Sequence, residues 1–161
     1  MDGAVAPTPV AIALGSNLGD RAAHLAFAVG RLAAVLSDLR QSTWYDTAPV
    51  DVVGDQPRYL NGVVVGRTRL TARQLLDRLL EIEREDGRQR PAPGASRTLD
   101  LDLILYGAER LAAPGLEVPH PRFRERLFVL EPLAEVAADW IDPVSGDAVS
   151  VLLQRARQRP S

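Results

Sequence analysis

Apolar positions along the chain change period several times, and each change marks an element. Val10 to Leu14 is a short apolar run that stops at Gly15-Ser16-Asn17, a turn signal. Asp20 can cap a helix reaching to about Leu36, because Leu25, Val29, Leu32 and Leu36 recur on one helical face. Gln41 to Tyr45 reads as extended, and Pro49, Gly54 and Pro57 make Thr47 to Arg58 a loop. Tyr59 to Arg69 carries the β-branched run Val63-Val64-Val65 and reads as a strand. Thr71 and Gln74 form a T-x-x-Q capping box at the head of a second helix. Leu75, Leu76, Leu79, Leu80 and Ile82 are its expected buried stripe, and Gly87 suits the left-handed position beyond its end.

Residues 88–97 are too rich in Pro and Gly for a regular element, so they are expected to be a loop carrying three arginines. Thr98 to Tyr106 returns to strand, Pro119 and Pro121 mark another loop, and helices are expected over Val129 to Ala138 and Asp147 to Arg157. Residues 1–9 read as a mobile Pro/Ala tail. No repeat or linker divides the chain, so residues 1–161 are expected to form one domain, an α+β sandwich with helices on a mainly antiparallel sheet.

Composition removes several chemistries. All 19 basic residues are arginine, so a P-loop lysine and a Schiff-base lysine are both excluded. With no cysteine there are no disulfides, thiolate nucleophiles or thiolate metal sites. A formal charge of -2 offers no broad basic field for nucleic acid or an anionic membrane. No signal peptide or membrane-length apolar run is visible, and a soluble cytoplasmic protein is expected.

The strongest chemical signal is Thr98-Leu99-Asp100-Leu101-Asp102-Leu103-Ile104-Leu105. Strand alternation sends Leu99, Leu101, Leu103 and Leu105 one way and Asp100 and Asp102 the other, with the aspartate Cα atoms roughly 6.5–7 Å apart. Carboxylates so placed repel unless a cation lies between them, and magnesium, a hard ion that keeps sites for water and phosphate, suits the pair. The plain alternative is a solvated strand face. Arg88, Arg90 and Arg97 stand just ahead of the strand and could fork onto phosphate oxygens, or simply keep a loop soluble. His120, between two prolines, could touch a phosphate or merely be exposed. Tyr59 and Asn61 share a strand face, and Asn61 offers the donor and acceptor that a heterocycle edge needs. Phe128 could add a stacking surface, although Tyr59 and Phe128 could equally be core aromatics. The backbone of Thr47-Ala48-Pro49-Val50 could serve the same ligand.

Taken in order, IALGSNLGDR, YDTAPV, DQPRYLNGVV, IEREDGRQR, SRTLDLDLILYG and VPHPRFRERLFVLEPLAE resemble the 6-hydroxymethyl-7,8-dihydropterin pyrophosphokinase family of folate biosynthesis. The resemblance covers about Val10 to Asp142. It implies a monomeric ferredoxin-like α+β domain that moves the terminal diphosphate of ATP to the pterin hydroxymethyl group, leaving AMP. It further implies that Asp100 and Asp102 bind two Mg²⁺ ions, and that Arg88 and Arg97, with Arg90 beside them, grip the phosphates. His120 and Arg126 would lie on the nucleotide side. Tyr59 and Phe128 would sandwich the pterin, while Asn61 and the backbone at Thr47 and Val50 read its edge. Glu83 matches a carboxylate at the margin of the site.

The sequence departs from the family pattern at Pro93-Gly94-Ala95-Ser96-Arg97, where a tryptophan is usual, at Ala48 in place of a proline, and at Pro121 in place of an aromatic. Two other readings remain open at this point. One is an ATP- and magnesium-dependent phosphotransferase for another small alcohol; the other is a non-catalytic ferredoxin-like binding domain.

Overall fold

A computed structural model describes residues 6–48, 57–87 and 98–159. Strand β1 (Thr8–Ser16) is apolar on both faces, which is why it reads as a run rather than an alternation. It begins inside the stretch expected to be a tail, with Thr8 and Pro9 paired to Thr68 and Arg67. Helix α1 (Arg21–Leu32) starts where expected, the Asp20 carboxylate accepting the N–H of Ala23 at 3.1 Å. It ends four residues earlier than the periodicity implies, but a following turn still delivers Leu36 to the core, its N–H bonded to the Leu32 carbonyl at 3.0 Å.

The expected extended stretch resolves into β2 (Ser37–Gln41) and β3 (Tyr45–Thr47), followed by β4 (Tyr59–Thr68). Helix α2 (Ala72–Gly87) opens on the capping box: Thr71 Oγ1 accepts the Gln74 N–H at 3.1 Å and Gln74 Oε1 accepts the Thr71 N–H at 2.9 Å. Gly87 is itself helical rather than the left-handed residue beyond the helix. Strand β5 (Asp100–Tyr106) precedes a hairpin of β6 (Leu111–Ala113) and β7 (Leu116–Val118), too short to leave a periodic signal. Helices α3 (Leu127–Ala137) and α4 (Val149–Gln158) complete the chain.

The main sheet runs β2-β4-β1-β5, antiparallel throughout, with β3 also paired to β4. Each crossover, β1-α1-β2 and β4-α2-β5, skips one strand, which is the ferredoxin-like arrangement. One core lies between the sheet and α1 and α2, built on Val10, Ile12, Leu14, Leu25, Leu32, Leu75, Leu79 and Ile82. The second lies between the sheet and α3 and α4, built on Ala11, Val63, Val65, Phe123, Leu130, Leu133 and Leu152. Burying one such leucine contributes about 1.5–3 kcal/mol, so each layer is strongly held.

Strand β5 corrects the simple alternation. Ile12 pairs with Leu103 and Ala11 with Leu105, so Ile104 is an extra residue, a β-bulge. Leu99, Leu101 and Leu103 enter the first core as expected, whereas Leu105 joins Ile104 in the second. A 3-10 turn at Phe123–Glu125 leads into α3, and the buried Asp142 carboxylate fixes it by accepting Arg124 Nε at 2.5 Å and Nη2 at 2.9 Å. Burial alone would push the Asp142 carboxyl up, but Arg124, the Ser145 hydroxyl and the Val144 N–H bring it down to about 2.

Candidate active site

A cavity of about 400 Å³ opens where the end of β1 meets the beginnings of β4 and β5. The sheet supplies Ala13 and Gly15, Tyr59 and Asn61, and Asp100 and Asp102 to its wall. Thr47 and Ala48 close one side, Leu76, Leu80 and Glu83 of α2 another, and Arg122, Arg126, Phe128 and Val129 a third.

Asp100 pairs with Gly15 and Asp102 with Ala13, so both carboxylates leave the same face of β5 and reach the cavity. Between them the Leu101 N–H donates to Glu83 Oε2 at 2.7 Å, and Glu83 is only 8% exposed. No group of three or more His, Asp or Glu side chains able to hold a metal occurs among the described residues. Two adjacent carboxylates nevertheless fit magnesium, a hard ion that commonly takes one or two protein carboxylates and fills its remaining positions with water and substrate phosphate.

Beside the acids, across β1 on the same sheet, lies an aromatic and amide surface. Asn61 is buried, and its Nδ2 donates to Thr47 Oγ1 at 2.5 Å. Its partner across the ladder is Gly15, where a Cβ would stand 2.8 Å from Asn61 Oδ1 and 3.6 Å from Tyr59 Cδ1. A side chain at this position would therefore press on the Asn61 amide, which would have to shift. Strand β3, which brings Thr47, is tied to α3 through Glu135: its carboxylate accepts the Thr43 N–H, the Thr43 hydroxyl and the Tyr45 hydroxyl, each at 2.9 Å. The Arg126 guanidinium stands 5.6 Å from the Phe128 ring centroid, a cation–π contact that joins the basic and aromatic parts of the wall.

His120 does not line this cavity. Its backbone N–H donates to the Ile104 carbonyl at 3.0 Å, and its Nδ1 accepts the Arg122 N–H at 3.2 Å. A neutral ring then carries its proton on Nε2, ready to donate. Burial holds the imidazole below its ordinary range, Asp102 opposing this and Arg126 reinforcing it.

The structure thus gathers Thr47, Tyr59, Asn61, Glu83, Asp100, Asp102, Arg126 and Phe128 around one cavity. Val50, Arg88, Arg90 and Arg97 lie outside the described residues. Leu76 packs against the first core as expected and also borders the cavity, whereas Leu80, expected in the buried stripe, lines the cavity at 42% exposure. They sit four residues apart beside the Leu75–Leu79 seam, so the apolar stripe of α2 is wide enough to serve both core and cavity. Arg122 also lines the cavity, and the sequence signals it only through its place in the arginine-rich stretch from Arg122 to Arg126.

Fold and site together define a ferredoxin-like α+β domain whose cavity is lined by a carboxylate pair, an amide and aromatic side chains. The sequence profile of the 7,8-dihydro-6-hydroxymethylpterin-pyrophosphokinase (HPPK) family matches residues 11–138, and the chain belongs to that family. It is 42% identical over 146 residues to a 2-amino-4-hydroxy-6-hydroxymethyldihydropteridine pyrophosphokinase of Synechocystis sp., covering 89% of this chain and 74% of the relative. The enzyme of the same name from Bacillus subtilis is 45% identical over 127 residues, covering 78% and 75%. Wild-type Plasmodium falciparum HPPK-DHPS superposes with a TM-score of 0.74 at 12% identity, over 96% of this chain and 45% of that one. That likeness concerns the fold, and this chain spans less than half of the larger protein.

Proposed function

We propose that this protein transfers the terminal diphosphate of ATP to the hydroxyl of 6-hydroxymethyl-7,8-dihydropterin, giving AMP and the pterin diphosphate, in folate biosynthesis. The observation that carries this reading is the shared cavity, which Asp100 and Asp102 line together with Tyr59, Asn61 and Phe128. An aromatic heterocycle would stack against Tyr59 and Phe128, and the Asn61 amide, held by Thr47, would read its edge. The hydroxymethyl group would then point toward the acidic side.

Asp100 and Asp102 would hold Mg²⁺, two ions on the family resemblance, which would supply charge neutralisation for the ATP phosphates when bound. The pterin oxygen attacks the β-phosphorus, the bond from that phosphorus to the AMP oxygen breaks, and the hydroxyl proton leaves to solvent. The residues contribute positioning and electrostatics rather than covalent chemistry, as phosphoryl transfer requires. His120, with Nε2–H free to donate, and Arg126 would meet phosphate oxygens, and Arg88, Arg90 and Arg97 are assigned the same work from sequence. A monomeric, single-domain cytoplasmic enzyme that binds neither nucleic acid nor membrane completes the proposal. No described helix is long and apolar enough to cross a membrane.

Incubating the protein with ATP, Mg²⁺ and the dihydropterin, and measuring AMP, tests the reading. AMP formation that requires both the pterin and the metal is expected. ATP binding without AMP would point to a different acceptor alcohol, and no nucleotide binding would end the enzymatic reading.

A further inference from the structure

Away from the cavity, two acidic side chains sit at the stems of two chain segments, and one helical turn holds both. Asp46 and Arg58 flank residues 49–56. Arg58 donates from Nε to Asp46 Oδ1 at 2.6 Å and from Nη2 to the Asp46 carbonyl at 3.1 Å. Arg21, the first residue of α1, bridges this pair, donating from Nη1 to the Arg58 carbonyl at 3.0 Å and from Nη2 to Asp46 Oδ2 at 3.3 Å. Asp86 and Thr98 flank residues 88–97 in the same way, with Thr98 Oγ1 donating to Asp86 Oδ2 at 2.7 Å. His24 Nδ1 lies 2.9 Å from Asp86 Oδ1, and the Asp86 side chain is only 8% exposed. Arg21 and His24 are three residues apart, neighbours on one helical face.

We infer that the first turn of α1 is a joint, in which Arg21 and His24 are positioning residues that hold the pterin side and the phosphate side of the site at a fixed separation. The inference rests on the function proposed above. Thr47 follows Asp46 directly and Tyr59 follows Arg58, so the Arg21 cluster fixes the strand ends that carry the pterin wall. Asp100 stands two residues after Thr98, so the His24 cluster fixes the entry to the carboxylate pair. A helical turn is stiff, and misplacing reacting groups by about 1 Å can cost on the order of a hundredfold in rate. The Arg21 cluster is solvent-exposed, where ion pairs add little to stability, so its purpose is geometric.

The two halves separate by kinetics. Arg21→Met is expected to raise the pterin Kd and KM about tenfold with kcat nearly unchanged, and His24→Ala to lower kcat about tenfold with pterin Kd unchanged. His24→Asn, whose side-chain N–H can replace the ring donor, should restore most of the rate, as Thr98→Ser should relative to Thr98→Val. Amide exchange should quicken at residues 59–61 in Arg21→Met and at residues 100–102 in His24→Ala. Folded variants with wild-type kinetics and wild-type exchange would overturn the joint. So would losses that only track the fraction unfolded. If His24→Ala does not fold, His24→Asn and Thr98→Val carry the test. A wild-type protein that forms no AMP would sink the functional reading instead, and the exchange data would still decide the joint.

Discussion

The Glu83 carboxylate accepts the Leu101 N–H at 2.7 Å, so α2 grips the peptide that separates Asp100 from Asp102. Strand β5 is at the edge of the sheet, where outward N–H groups lack a ladder partner. Removing the acceptor from this buried spot should cost about 1–3 kcal/mol. Glu83→Ala is therefore expected to lower Tm and to weaken metal-dependent turnover, whereas Glu83→Gln keeps an acceptor oxygen and should retain most of the stability. Calorimetry and an AMP assay on both variants check this; equal Tm values for Ala and Gln would contradict it.

Gly15 leaves no room for a side chain unless the Asn61 amide shifts. A Cβ at 2.8 Å from Oδ1 must push the amide off its bond to Thr47. Gly15→Ala should weaken pterin binding about tenfold or more, roughly 1.4 kcal/mol, while ATP affinity changes little. Fluorescence titration with a pterin and separate ATP titration would resolve the two. A variant with unaltered pterin affinity would remove Asn61 from the binding role.

The carboxylate pair has the sharpest prediction. Asp100→Asn and Asp102→Asn should each reduce kcat at least a hundredfold, about 2.7 kcal/mol of transition-state stabilisation, with pterin binding kept. Chelation of Mg²⁺ should abolish turnover in the wild type, and excess metal should restore it. Full metal-dependent turnover in either Asn variant would exclude that residue as a ligand.

Asp142 predicts an acid-sensitive hold on the turn that carries Arg124. Its folded carboxyl lies near 2, below the ordinary 3.8, so the folded state binds its proton less readily than the unfolded chain. The stabilisation, about 2 kcal/mol, is complete above pH 4 and is lost as pH falls from about 4 through 2. Urea titrations across that range should show Asp142→Asn with a flatter acid limb than wild type. Parallel limbs would show that the pair does not contribute.

Much of this was legible because strand alternation and capping are local. Asp20, the Thr71–Gln74 box and the shared face of Asp100 and Asp102 all follow from neighbours within a few residues. Tyr59 and Asn61 likewise reach one cavity from alternate positions of β4. What escaped depends on partners distant in sequence. The position of Leu105 is set by register against Ala11, and the double duty of α2 at Leu76 and Leu80 by where the sheet ends. Arg126 follows from the family resemblance alone, whereas Phe128 is on sequence a candidate stacking surface that could equally be a core aromatic, until the start of α3 places it at the cavity.

Ile104 interrupts the β5 ladder, and its carbonyl is the one that receives the His120 N–H. The extra residue thereby acts as a spacer. Counted along the strand from Asp102, it sets how far away the histidine loop is moored. Deleting Ile104 would let Leu103 and Leu105 keep their partners on β1 but would remove the carbonyl that moors the histidine loop. The irregular strand thus measures the gap between the carboxylates and the imidazole.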